Sequence, residues 1–299
     1  MFPQSQPAVS WRGLMHLFVV YLVWSSTYLA IRVAVRPGAG FPPFALAAMR
    51  CLLAFPLLIL WSKARGLRLR PTRRELPLLV VSGVLLWAFG NAFVVVAEMR
   101  VESALAAILI ASTPIWVALL ESLIDWRLPS KLVIFALLVG FAGTGLIGYP
   151  ALHTGVRADA IAVLVLLVAA LSWGGGSLLQ RRRPIELDAM VSAAYQMLFG
   201  GIAVGIMSLM FREPRPNPTG SAWLAFGFLL VFGSLISFTS FLRALRLLPT
   251  RLVFTYGYVN PVIAAFLGWL VLGEHIAGVT LAGAGLVLLG VAGSFRAKG

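Results

Sequence analysis

Apolar residues run along the chain in about ten blocks of roughly 20, each closed by charge or by Pro and Gly. Blocks of that length predict helices that span a bilayer. The competing architecture, a soluble protein of ten buried strands, would need strands of only about 4 to 8 residues. The predicted spans are 13–35, 42–62, 76–97, 103–125, 131–149, 157–179, 187–210, 221–245, 251–272 and 276–295. Arg243, Arg246 and Pro249 crowd the gap between the eighth and ninth spans. The first block is longer than a secretory h-region and lacks a small-residue cleavage site soon after it, so the chain is expected to keep it as a span.

Charge changes this picture by giving it a direction. Of the 24 Lys and Arg, 17 fall in the termini and even-numbered connections, from Arg12 through the Lys63–Arg74 stretch to Arg296 and Lys298. The other connections hold Arg32, Arg36, Arg100, Arg157, Arg212 and Arg215, which leaves Arg50 inside a span. The positive-inside rule then puts both termini in the cytoplasm.

Composition agrees with the spans: 60% of residues are hydrophobic, 11% are charged, and the mean hydropathy is +0.95. A soluble domain carries about 25% charged residues. The net charge of +14 sits at span ends, where it signals topology and attracts anionic headgroups, so no nucleic-acid partner is expected. Cys51 is alone and His16, His153 and His275 are scattered, which predicts no internal disulfide, metal or cofactor.

The chain reads as one pattern written twice. "LVWSSTYLAIR" from Leu22 and "LSWGGGSLLQRRR" from Leu171 both run Trp, small residues, then Arg eight positions after the Trp. Trp24 and Trp173 are 149 residues apart, and Pro114 and Pro261 are 147 apart. At the second offset Ala118 falls on Ala265, Leu120 on Leu267 and Gly143 on Gly290. Five spans per copy is an odd number, so consecutive copies must be inverted in the membrane, as in secondary transporters. The expected units are residues 12–149 and 157–295.

These residues resemble a family. The ten spans, the Trp-small-small opening of each half, "PFALAAMR" in span two, the Pro-centred fourth and ninth spans and the closing "LGWLVLGEHIAGVTLAGAGLVLLGV" are similar to the drug/metabolite transporter superfamily and its EamA-type domain. The resemblance implies an all-α inner-membrane carrier of ten helices in two inverted repeats. It also implies a cavity walled by spans one to four and six to nine, with spans five and ten peripheral. Such carriers commonly export amino acids or related metabolites. The first half departs from the pattern, with Arg127 where Glu274 falls in the second.

Polar residues inside spans are costly and therefore functional candidates. Trp24, Trp87, Pro114 and Pro261 lie about 11 residues, roughly 16 Å, into their spans. Arg50 and Gln196 each lie about eight residues in, from opposite faces. Asn91 shares a helix face with Trp87, and in the resembling family that face points into the cavity. With Thr113, Trp173, Tyr195, Tyr256 and Asn260 these complete the expected substrate cavity, while Ser234, Ser237, Thr239 and Ser240 line the eighth span. An aromatic and amide lining suits amphipathic solutes. Arg50 has two readings, a counter-charge for a substrate carboxylate or a donor that ties helices together.

Gly174, Gly175 and Gly176 fall where Ser25, Ser26 and Thr27 stand in the first half. Small size is what the stretches share, and it lets helices approach closely in lipid. Gly174 to Gly176, with Pro114 and Pro261, also mark places where the helices could hinge.

No Walker sequence is present, and the loops, the longest about 14 residues, leave no room for a nucleotide-binding domain. No ATPase subunit is implied, and with no Asp, Glu or His near the midplane for a proton relay, facilitated diffusion is at least as expected as proton antiport. Glu98 and Glu102, flanked by Arg100, are expected to be solvated loop acids. The expectation is a monomeric secondary transporter, with a small-molecule substrate and the bilayer as partners, that exports amino acids or related small amphipathic metabolites. The alternatives are multidrug or other solute transport, or a membrane enzyme or scaffold. For an enzyme, no paired carboxylates, metal cluster or activated nucleophile stands out.

Overall fold

The computed structural model describes residues 9–101, 103–153, 160–272 and 278–296. Among them the regular structure is helical throughout. The helices are α1 (Trp11–Val35), α2 (Pro43–Ala64), α3 (Leu76–Ala97), α4 in two pieces (Ser103–Ile110 and Thr113–Asp125) and α5 (Lys131–His153). They continue with α6 (Ala160–Arg182), α7 (Ala189–Met210), α8 (Gly220–Leu247), α9 (Tyr256–Leu272) and α10 (Gly278–Arg296). Eight stretches among the described residues are long and apolar enough to cross a membrane, and Lys131–Ile147 is a shorter apolar helix. The crowded gap after α8 resolves into a short turn, Thr250–Val253, that follows Pro249.

The helix ends follow from side chains that satisfy free backbone N–H groups. Ser10 accepts from Gly13 at 3.0 Å and Asp188 from Met190 at 2.8 Å. The N-terminus of α2 begins Pro42-Pro43 and takes its cap from another loop: Glu213 accepts from Phe44 at 3.0 Å and Ala45 at 2.8 Å. The same two loops meet again at Gly40, whose carbonyl accepts from Asn217 at 2.9 Å. Gly40 has φ of 91°, and a Cβ there would lie 2.0 Å from the Asn217 carbonyl oxygen, so only glycine fits.

α4 is broken where the pattern predicted one continuous span. Its second piece starts at Thr113 with Pro114 in the first turn, where the missing N–H costs nothing. Pro261 instead sits inside continuous α9. α3 and α8 each contain a π-helical stretch, Val84–Ala92 and Leu229–Phe238, whose wider turns carry Trp87, Asn91, Ser234 and Phe238.

Small residues set the tightest crossings. A Cβ on Gly290 would stand 2.7 Å from the Gly140 nitrogen and 2.8 Å from the Ala136 oxygen, so α10 and α5 touch backbone to backbone. α3 and α7 do the same, with Gly200 facing the Gly83 oxygen at 2.6 Å. Gly201 of α7 backs onto Cys51 and Leu52 of α2. α8 packs along α1 and α2, and α6 along α3 and α4.

Candidate functional site

An aromatic layer crosses the bundle. Trp24 of α1 meets Trp173 of α6, Phe241 of α8 and Tyr256 of α9 at ring-centroid distances of 5.4, 5.1 and 5.0 Å. Trp87 of α3 closes the layer against Phe238 at 4.9 Å and Trp173 at 6.3 Å. Edge-to-face contacts dominate, the arrangement that opposes ring edges to ring faces.

On the Arg-rich side of this layer arginines tie the helix ends together. Arg246 donates to the Leu187 carbonyl at 2.7 Å and to Ser192 at 3.0 Å, which joins α8 to the start of α7. Arg181 donates to the Leu245 carbonyl at 2.9 Å, Arg251 to Ser294 at 2.9 Å, and Arg182 forms a two-pronged pair with Asp125. Arg181 and Arg251 thereby satisfy carbonyls in the last turns of α8 and α10.

On the other side lies a small cavity, with about 70 Å³ of room for water-sized groups. Trp24, Arg50, Trp87, Asn91, Trp173, Tyr256 and Asn260, all expected from the sequence, line it. Thr27, Tyr28 and Ile31 line it too, and they continue the face of Trp24 at helical spacing. Val94 does the same for Asn91, and Ala169 and Ala170 for Trp173. Extending those faces by one or two turns would have found them.

Three expected residues stand elsewhere. Thr113 is buried beside Gly174 and returns its hydroxyl to the Ile110 carbonyl at 2.6 Å. Tyr195 packs between Phe55 and Phe199. Gln196 donates to Gln180 at 2.6 Å, and its backbone presses on Gly83. Arg50 and Gln196 enter from opposite faces to similar depth, so a cavity on one side of the aromatic layer takes the first and leaves the second.

Arg50 is 4% exposed. Its Nε donates to Ser234 at 2.8 Å, and its guanidinium carbon stands 4.9 Å from the Trp87 ring centroid. A hydroxyl and an aromatic face thus hold the cation in place of a carboxylate. Three buried polar atoms nearby, Trp87 Nε1, Trp173 Nε1 and Asn91 Oδ1, have no hydrogen-bond partner among the described residues. Asn260 Oδ1 accepts from Ser25 at 3.3 Å. The site therefore offers a fixed positive charge, free N–H groups and a free amide oxygen beside aromatic faces. Among the described residues that line it there is no carboxylate.

Glu98 corrects the expectation of a solvated loop acid. It follows the last turn of α3, is 7% exposed, and neither carboxylate oxygen has a hydrogen-bond partner among the described residues. Burial pushes its carboxyl well above the usual range, against the opposing pull of Arg32. Glu102 and Glu274 lie outside the described residues.

The glycine run divides by packing. α6 continues through all three, but a Cβ on Gly174 would come within 2.9 Å of Val117 and one on Gly176 within 3.0 Å of Leu85 and Leu86. Gly175 has only Leu120 at 3.8 Å. Gly175→Ala is therefore expected to be neutral or to stabilise by up to about 1 kcal/mol. Gly176→Val is expected to cost about 1–3 kcal/mol by overpacking. Thermal melts of the two purified variants check this, and equal midpoints would contradict it.

The EamA-like transporter family model matches the chain twice, over residues 11–149 and 160–296. The inner membrane transporter YedA of Escherichia coli K12 is 32% identical over 277 residues, covering 92% of this chain and 88% of that one. An S-adenosylmethionine/S-adenosylhomocysteine transporter of Chlamydia trachomatis serovar L2 is 27% identical over 296 residues, with coverage of 92% and 88%. A chain solved by crystallography shares the fold with a TM-score of 0.78 at 24% identity, covering 94% of this chain and 96% of its own.

Proposed function

The chain belongs to the EamA-like transporter family, and from that premise we propose that it is an inner-membrane secondary transporter that exports amino acids or related small metabolites. The observation that carries the substrate class is the cavity's charge. Among the described residues its lining holds Arg50 and no carboxylate, which suits a solute with a carboxylate and disfavours a simple organic cation. A substrate ammonium would meet the free Asn91 oxygen, and an apolar side chain would lie against Trp24 and Trp173.

Transport proceeds by alternating access. The arginine ties on the Arg-rich side close one entrance, while the cavity lies toward the other side. Exchanging these two conditions carries solute across the aromatic layer. The Arg-rich side is cytoplasmic by the positive-inside rule, as are both termini.

The test is efflux from proteoliposomes loaded with labelled methionine, threonine, phenylalanine, S-adenosylmethionine or a cationic dye. Amino acids leave faster than the dye, and Trp173→Ala slows them. Movement of the dye alone would overturn the substrate class. Movement of nothing in a folded preparation would overturn transport of these solutes.

A further inference from the structure

A second recess opens on the Arg-rich face, between the start of α3 and the end of α6. Arg73, Arg74 and Arg183 line its rim, and Leu78, Val81 and Leu179 line its wall. The helices supply this arrangement directly. Arg73 and Arg74 stand just before Leu76, where α3 begins, and Arg183 stands just after Arg182, where α6 ends. The guanidiniums therefore occupy the level at which lipid headgroups lie. Val81 is five residues further along α3, roughly 8 Å into the apolar region at helical rise.

Further along the same two helices the packing is close, since a Cβ on Gly176 would come within 3.0 Å of Leu85 and Leu86. At the recess Val81 remains 48% exposed although α6 stands beside it. An apolar side chain half-open under a rim of cations is the pattern that an acyl chain below a phosphate would complete.

Two carboxylates border the recess, and they differ. Glu75 is already consumed: Arg68 grips both its oxygens, at 2.6 and 3.1 Å, and the Thr72 N–H donates to it at 2.8 Å. That grip draws its carboxyl down to about 2, so it stays ionised and paired. Glu186 is exposed at the rim. Arg73, Arg74 and Arg183 against Glu186 leave the rim net positive.

We propose that this recess binds a glycerophospholipid whose headgroup is net anionic, with its phosphate on Arg73, Arg74 and Arg183 and an acyl chain along Leu78, Val81 and Leu179. Guanidinium groups suit the phosphodiester because they donate paired N–H bonds to two oxygens. A headgroup bearing an ammonium would set a cation among three others. The bound lipid ties α3 to α6, the helices that carry Trp87 and Trp173.

Native mass spectrometry of the full chain, titrated with phosphatidylglycerol, phosphatidylethanolamine and soluble glycerol phosphate, tests this. Phosphatidylglycerol binds more tightly than phosphatidylethanolamine. The Arg73→Gln/Arg74→Gln/Arg183→Gln variant loses on the order of a hundredfold in that affinity, given roughly fivefold per guanidinium. A control variant, Arg65→Gln/Arg70→Gln, removes exposed basic residues outside the recess and keeps the affinity. Equal loss in both variants would show attraction to overall charge and overturn the site. Glycerol phosphate binding as tightly as the lipid would make it a free-phosphate site instead. Val81→Asn, which leaves every charge in place, weakens the lipid and not glycerol phosphate; unchanged lipid affinity in that variant would remove the acyl-chain assignment.

Discussion

Arg50→Ala lowers efflux of a carboxylate-bearing substrate by roughly tenfold or more, the loss of charge-assisted hydrogen bonds in a dry site. Arg50→Lys does not restore it. The guanidinium lies against the Trp87 ring while its Nε is held by Ser234, a geometry that a single ammonium cannot reproduce. Ser234→Ala keeps the charge and loses only the tether, so its effect is smaller. Initial rates in proteoliposomes, normalised to monodisperse protein, measure all three variants. Wild-type rates in Arg50→Ala would remove the counter-charge role. Wild-type rates in Arg50→Lys would show that a point charge suffices.

Gly290→Val lowers stability by about 3 kcal/mol or prevents accumulation of folded protein, because the added atoms meet backbone that cannot rotate away. The matching change Gly285→Val, on the same helix, has nothing within 4 Å of its Cβ position and leaves the melting midpoint nearly unchanged. Fluorescence-detected melting in detergent compares the pair. Equal shifts would mean that helix propensity, and not the crossing with α5, governs the outcome.

The helical class and the approximate position of every span were legible because twenty apolar residues in a row admit one solution in lipid. The break in α4 was not, since Pro114 and Pro261 look alike in sequence and differ only in whether a neighbour lets the helix run on. The π-helical stretches of α3 and α8 left no sequence signal either, because one extra residue per turn does not alter which residues are apolar. For the site, depth and helical spacing pointed to Trp24, Arg50, Trp87, Asn91 and Trp173. Gln196 stands away from this cavity because equal depth from opposite faces says nothing about the side on which a cavity lies. Glu98 was misread because Arg100 suggested solvent, whereas its chain neighbours Val94, Ala97 and Val101 pack with Ala162, Leu166 and Ala169 of α6, distant in sequence.

The tightest crossings join elements that are far apart along the chain: α5 with α10, α2 with α7, α3 with α6 and α7, and α1 with α8. While the ribosome is still making the second half, the first five helices lack the surfaces they will pack against. The glycine face of α5 and the Cys51–Leu52 face of α2 meet lipid until α10 and α7 arrive. Closure of the bundle therefore waits on helices of the second half, and contacts so distant in sequence form late. The two stretches matched by the family model thus pack against one another along several of their helices.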